Sequence, residues 1–172
     1  MRVLLATLLA FTLIQSSAQD DPSRGYIVSV GELAPDFEFT LMDGSVHRLS
    51  EYRGQVVLLQ FTASWCGVCR KEMPHLESEV WQEHREEPFI LIGIDREEEA
   101  EIVRKFIDAT GVTYPMALDT DASIYNLFAR RGSGITRNVL IDREGRIVFL
   151  TRLYDEAEFA AMKEQIELLL GS

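Results

Sequence analysis

Cysteine is the scarcest reactive residue in this chain: Cys66 and Cys69 are the only two among 172 residues. A closed zinc site needs four ligands. His47, His75 and His84 are the only histidines that could join the pair, and none has convincing ligand spacing. Cationic charge is also in short supply, with 17 Lys and Arg against 28 Asp and Glu and a net charge of −11. That balance argues against nucleic acid and anionic membrane surfaces as partners. Long apolar runs are absent except at the start, where Val3 to Ile14 follows Arg2. The run is shorter than the roughly 20 residues a membrane span requires. Ser16, Ser17 and Ala18 follow it as small residues fit for cleavage. Residues 1–18 therefore read as a secretory signal peptide. No cysteine follows the run, which excludes lipid attachment through an N-terminal Cys. Internal repeats, low-complexity tracts and signs of a second domain are missing too.

The remainder is ordinary for a soluble globular protein, with 47% hydrophobic and 26% charged residues. Its length suits one domain with a sizeable core. Loss of residues 1–18 would remove Arg2 and take the net charge to −12. Export would put the cysteines where disulfides persist. Residues 19–30, including "DDPSRG", read as a flexible lead-in, and residues 31–172 as the domain.

Within that domain, "APDFEFTLMDGSVHRLS" reads as a hairpin. Phe37, Phe39 and Leu41 alternate with polar residues, Asp43-Gly44 makes the turn, and Val46 and Leu49 return. "QVVLLQF" and "FILIGID" are near-continuous apolar runs, as strands covered on both faces should be. Between them a helix is expected from about Cys66 to about Arg85, kinked at Pro74, with Met73, Leu76, Val80 and Trp81 on its apolar side. "REEEAEIVRKFIDATG" predicts an amphipathic helix ended by Gly111, with Ile102, Val103, Phe106 and Ile107 inward. Its acidic start reads as a solvated helix terminus. "YPMALD" is a short strand or extended segment, "ASIYNLFARRG" a short helix, and "ITRNVLID" and "RIVFLTRL" are strands joined at "DREG". The chain closes on a helix with Phe159, Met162, Ile166, Leu169 and Leu170 on one side. A β-α-β unit followed by a hairpin and a helix gives an α/β fold, a central mixed sheet with helices on both faces.

The cysteines stand in "WCGVC", where an apolar strand hands over to a helix. Unpaired N–H groups and partial positive charge at a helix start stabilise a thiolate. Cys66 is thus expected as the attacking nucleophile, and Cys69, one turn on, as the residue that resolves the mixed disulfide. A purely structural disulfide would close only a tiny loop and stabilise weakly.

"WCGVC" after an apolar strand resembles thioredoxin. Over residues 31 to 170 the chain resembles the exported TlpA/ResA-like branch of the thioredoxin superfamily. That branch shares its N-terminal hairpin with the peroxiredoxin-like proteins (the AhpC/TSA type). The segments that carry the resemblance are "GELAPDFEFTLMDGSVHRLSEYRGQVVLLQF", "WCGVC" with "RKEMP", "FILIGID" and "NVLIDREGRIV". It implies a thioredoxin-like fold with an added N-terminal β-hairpin. Trp65 resembles the aromatic that flanks the reactive Cys, and Gly67 and Val68 the pair that tunes redox potential. Glu72 matches an acidic residue three positions after the second Cys, placed to take and return a proton. Pro74 matches a structural kink proline.

Two positions depart from the pattern. Gln60 stands where thioredoxin has a buried Asp. Thr136, after Ile135, stands where the family has a cis-proline facing the Cys pair. Since a cis bond before a non-proline costs about 2.5–4 kcal/mol, Ile135–Thr136 is expected to be trans. Thr136 should then hydrogen-bond a thiolate or a substrate backbone.

The resemblance implies a periplasmic thiol-disulfide oxidoreductase, reducing protein disulfides as a monomer. Electrons would come from a membrane-embedded donor, without a cofactor or metal. The catalytic residues would be Cys66, Cys69 and Glu72, and the substrate-binding residues Trp65, Gly67, Val68, Ile135 and Thr136. Two alternatives accompany it. A thiol peroxidase would use Thr62 and Arg137, each one position away from the peroxiredoxin pattern. A non-catalytic binding module on a retired thioredoxin fold would use neither cysteine.

Overall fold

A computed structural model describes residues 24–171. The signal-peptide expectation lies outside the described residues. Seven strands form one sheet in the order β2-β1-β5-β4-β3-β6-β7. They are β1 (Glu38–Leu41), β2 (Val46–Arg48), β3 (Val56–Thr62), β4 (Phe89–Arg96), β5 (Met116–Asp119), β6 (Arg137–Ile141) and β7 (Ile147–Arg152). The central strands β3, β4 and β5 are parallel neighbours, while the hairpins β1–β2 and β6–β7 join the two sides antiparallel. The fold is thioredoxin-like and α/β.

β3 is buried along its whole length, which explains its unbroken apolar sequence. Alternation along it divides the core. Val57, Leu59 and Phe61 join one apolar cluster, and Val56 and Leu58 join the other. The second cluster takes α1 (Gly67–Leu76) through Met73 and Leu76, α2 (Ala100–Thr110) through Val103 and Phe106, and α4 (Glu156–Leu170) through Phe159, Met162 and Ile166. All three long helices therefore cover one face. β3-α1-β4 and β4-α2-β5 step across the sheet in the same direction, and right-handed crossovers put both helices on the same side. The other face is covered by the short α3 (Tyr125–Phe128) and by Tyr26, Val28, Ala34 and Phe37 from the N-terminal segment.

The segment expected as a lead-in packs against the domain from Arg24 onward. Arg24 pairs with Glu158 at 2.7 Å, and the Tyr26 hydroxyl donates to Thr151 O at 2.6 Å. "YPMALD" resolves into strand β5, which bonds to β4 and to β1 and so anchors the hairpin to the sheet. Beyond Pro74, α1 continues as a π-helical stretch (Glu77–Trp81) and a last turn (Gln82–His84). Gly111 ends α2 in the left-handed conformation, with φ 71°. Ile102, read as inward, is exposed in the first turn of α2, and Val46, read as part of the returning strand, is exposed on the edge strand β2. Among the described residues no helix is long and apolar enough to cross a membrane.

Candidate active site

Helix α1 begins one residue after Cys66, which is its N-cap. Cys66 Sγ accepts the Cys69 backbone N–H at 3.2 Å, the contact a Ser or Asp oxygen makes at other helix starts. The two cysteines are disulfide-bonded, with Cα atoms 5.3 Å apart. Their accessibilities differ in the sense the chemistry requires: Cys66 is 7% exposed and Cys69 0%. Around Cys66 the surface is made by Trp65, 60% exposed, with Gly67 and Val68 beside it. The Arg96 guanidinium lies 5.7 Å from the Trp65 ring centre and 4.6 Å from that of Tyr125.

Thr136 comes to the pair from the start of β6. Its Oγ1 lies 3.1 Å from Cys66 Sγ and 3.2 Å from Cys69 Sγ. Among the described residues no peptide bond is cis, so Ile135–Thr136 is trans as expected. The loop is held from behind. Thr136 O accepts Leu153 N–H at 3.1 Å and Arg152 Nη1 at 3.3 Å. The Tyr125 hydroxyl lies 2.8–2.9 Å from Ser133 O, Ser133 Oγ and Gly134 O. Leu153 is in the left-handed region at φ 66°, an uncommon place for a leucine and one that tends to mark functional loops. Ile135, expected as a substrate contact, has a buried side chain, so only its backbone is available for such a role.

Beneath the cysteines lies a polar network in an otherwise apolar core. Glu72 is 1% exposed. Its carboxylate accepts Asn138 Nδ2 at 2.7 Å and Gln60 Nε2 at 3.2 Å. Gln60 Oε1 accepts the Tyr114 hydroxyl at 2.8 Å, and Asn138 Nδ2 also donates to Thr151 Oγ1 at 2.8 Å. Burial pushes the Glu72 carboxyl up to about 7, against the two amide donors that pull it down. Burial likewise raises the Tyr114 phenol. Gln60, which replaces the family's acid, is thus a partner of Glu72. Tyr114, Asn138 and Thr151 were not read from sequence. Asn138 interrupts an apolar strand, the one visible signal, but it meets Glu72 because β6 pairs Asn138 with Gln60.

Two residues weighed for peroxide chemistry are turned elsewhere. Thr62 Oγ1 lies 3.5 Å from Met73 Sδ. Arg137 Nε donates to Tyr125 Oη at 3.2 Å and Gly134 O at 3.1 Å, and its guanidinium lies 4.5 Å from the Tyr26 ring centre. The acidic run after β4 also departs from its reading. Glu97 and Glu99 are exposed, but Glu98 is buried and reaches the loop before Cys66.

The AhpC/TSA family profile matches residues 30–150. The chain belongs to the AhpC/TSA family. It is 32% identical over 120 residues to the thiol-disulfide oxidoreductase ResA of Geobacillus kaustophilus, covering 70% of this chain and 67% of that one. A candidate protein disulfide isomerase from Bacteroides thetaiotaomicron has the same fold, with a TM-score of 0.84 and 59% identity over 86% of this chain and 94% of that one. A candidate thiol:disulfide interchange protein DsbE from Chlorobium tepidum follows, with a TM-score of 0.75 and 28% identity over 84% and 99% of the two chains. Together with the Cys66–Cys69 pair, these place the protein with the TlpA/ResA-like thiol-disulfide oxidoreductases of the thioredoxin superfamily. It is an oxidoreductase whose chemistry is dithiol-disulfide exchange.

Proposed function

We propose that the protein is a periplasmic, monomeric reductant of protein disulfides, recharged by a membrane-embedded dithiol donor. Residues 1–18 direct export and residues 31–172 form the catalytic domain. In the reduced protein the Cys66 thiolate attacks one sulfur of a partner disulfide. The partner's other sulfur leaves as a thiolate and takes up a proton. Cys69 then loses its proton and attacks Cys66 Sγ, which releases the partner's second thiol and closes the Cys66–Cys69 disulfide. Two electrons and two protons end on the partner. Glu72, in its carboxylate form, is the acceptor for the Cys69 proton, and the Gln60–Asn138 amides keep it oriented. The Thr136 hydroxyl donates a hydrogen bond to the Cys66 thiolate. Trp65, Gly67 and Val68 receive the partner, and the Ile135 backbone lines the approach.

The observation that carries this reading is the asymmetry of the pair. Cys66 caps a helix and is reachable, whereas Cys69 is sealed beneath it. The peroxidase alternative has less support, since Thr62 and Arg137 are both engaged away from Cys66. A Cys69→Ser variant tests the assignment. It should hold partner proteins as mixed disulfides through Cys66, and a Cys66→Ser/Cys69→Ser variant should hold none. The reductant role predicts a potential nearer that of a cytosolic thioredoxin, roughly −270 mV, than that of a strong periplasmic oxidant, roughly −120 mV. Rapid hydrogen peroxide turnover with no reduction of protein disulfides would reverse the assignment.

A further inference from the structure

Asp95, the last residue but one of β4, lies beside Thr62 of β3 and Leu118 of β5, is wholly buried, and meets no N–H or O–H donor at either carboxyl oxygen. The charged group acting on it is another carboxyl, that of Glu98. Other charges nearby are engaged elsewhere. Arg96 turns to Glu97, Trp65 and Tyr125, and Arg70 of α1 turns to Ser64 O and the Phe106 ring. Two facing carboxyls with no cation between them coexist only if one proton is shared, with Asp95 as the donor and Glu98 as the acceptor. The rest of Glu98's capacity is used on the segment before the nucleophile. One oxygen accepts Ser64 N–H at 2.5 Å and the other accepts the Ser64 hydroxyl at 2.5 Å. Ser64 is two residues ahead of Cys66, and Cys66 N–H in turn bonds Ala63 O at 3.1 Å.

We propose that Glu98 is a positioning residue that holds the Ser64–Trp65 segment so that Cys66 stays on the end of α1, and that a proton on Asp95 sets the strength of that hold. The assignment rests on the thiol-disulfide chemistry proposed above. While Asp95 carries its proton, it binds Glu98 and Glu98 binds Ser64. Once Asp95 ionises, two buried anions repel, and Glu98 is driven out with Ser64 attached. Cys66 then leaves the position in which the Cys69 N–H and the helix terminus stabilise its thiolate. Burial and the Glu98 charge raise the Asp95 carboxyl to about 8, so the hold weakens within the range where thiols themselves ionise.

The test follows Cys66 in the reduced full chain by iodoacetamide alkylation and by thiolate absorbance, on both sides of the Asp95 titration. In the parent protein, the thiolate fraction of Cys66 should fall below a single-site titration curve above about pH 8. Asp95→Asn, whose amide donates to Glu98 at every pH, should abolish that fall. Glu98→Ala should raise the Cys66 pKa by about one unit and slow alkylation at neutral pH roughly tenfold, the scale of one charge-assisted hydrogen bond. If Glu98→Ala does not fold, Ser64→Ala removes one of the two bonds and should shift the pKa the same way by less. A Glu98→Ala protein that melts earlier but keeps the parent's Cys66 pKa overturns the proposal. So does an Asp95→Asn profile identical to the parent's. Alkylation needs no disulfide partner, so a protein that behaves as expected here yet reduces no partner disulfide refutes the proposed function and not this assignment.

Discussion

Thr136 has one hydroxyl proton and two sulfurs at nearly equal distance. In the dithiol form it can donate to the Cys66 thiolate while its oxygen accepts the Cys69 S–H, an arrangement a proline could not supply. Thr136→Val keeps the shape and removes the hydroxyl. We expect it to raise the Cys66 pKa by about one unit and slow insulin disulfide reduction roughly tenfold, both measurable on the purified protein. Glu72 gives a second prediction at this scale. Its carboxyl is protonated below about pH 7 and a base above it. Release of a pre-formed mixed disulfide should therefore accelerate as pH rises through about 7, and Glu72→Gln should flatten that profile. The cysteines and Glu72 were visible in the sequence because they follow one another at three-residue steps, about one helical turn each. Tyr114, Asn138 and Thr151 were not, because the strand register that gathers them joins positions far apart in the chain. Glu98 was hidden for a different reason: three consecutive glutamates look alike until a fold buries one.

At the scale of elements, periodicity worked where burial was complete. β3 and β4 are long and apolar because the central sheet is covered on both sides, so their sequences betray them. β5 is only four residues, and its identity depends on pairing with β4 on one edge and β1 on the other. No local pattern carries that. Gly93 on β4 shows how such an element reaches the site. A Cβ there would come 2.2 Å from Met116 Sδ and 3.1 Å from Tyr114 Cε2. Gly93→Ala should push Tyr114 off Gln60, lower the stability and shift the Glu72 inflection in the same pH profile. The hairpin offers a control. Phe39 is buried against Phe37, Tyr52 and His47, far in sequence from the cysteines. Phe39→Ala should cost about 3–5 kcal/mol in urea unfolding and leave the reduction potential unchanged.

Over the whole molecule, the buried acids make stability depend on pH. The Glu72 carboxyl is raised from 4.5 to about 7 in the fold. Its contribution is fully present below about 4.5 and is lost as pH rises through about 7, a span worth roughly 3 kcal/mol. Asp95, raised from 3.8 to about 8, acts in the same direction. Urea midpoints should therefore fall between mildly acid and alkaline pH, and the Glu72→Gln/Asp95→Asn pair should remove most of that slope. Nothing in the net charge of −11 foretells this, since that sum treats every acid as ionised.

Because Cys69 has no surface and Cys66 barely any, every thiol or disulfide that trades electrons with this protein must touch the same atom through the same opening. Supplier and recipient cannot be seated together; each must depart before the other arrives. Steady-state turnover should then give parallel lines in double-reciprocal plots, with each substrate inhibiting competitively against the other at high concentration.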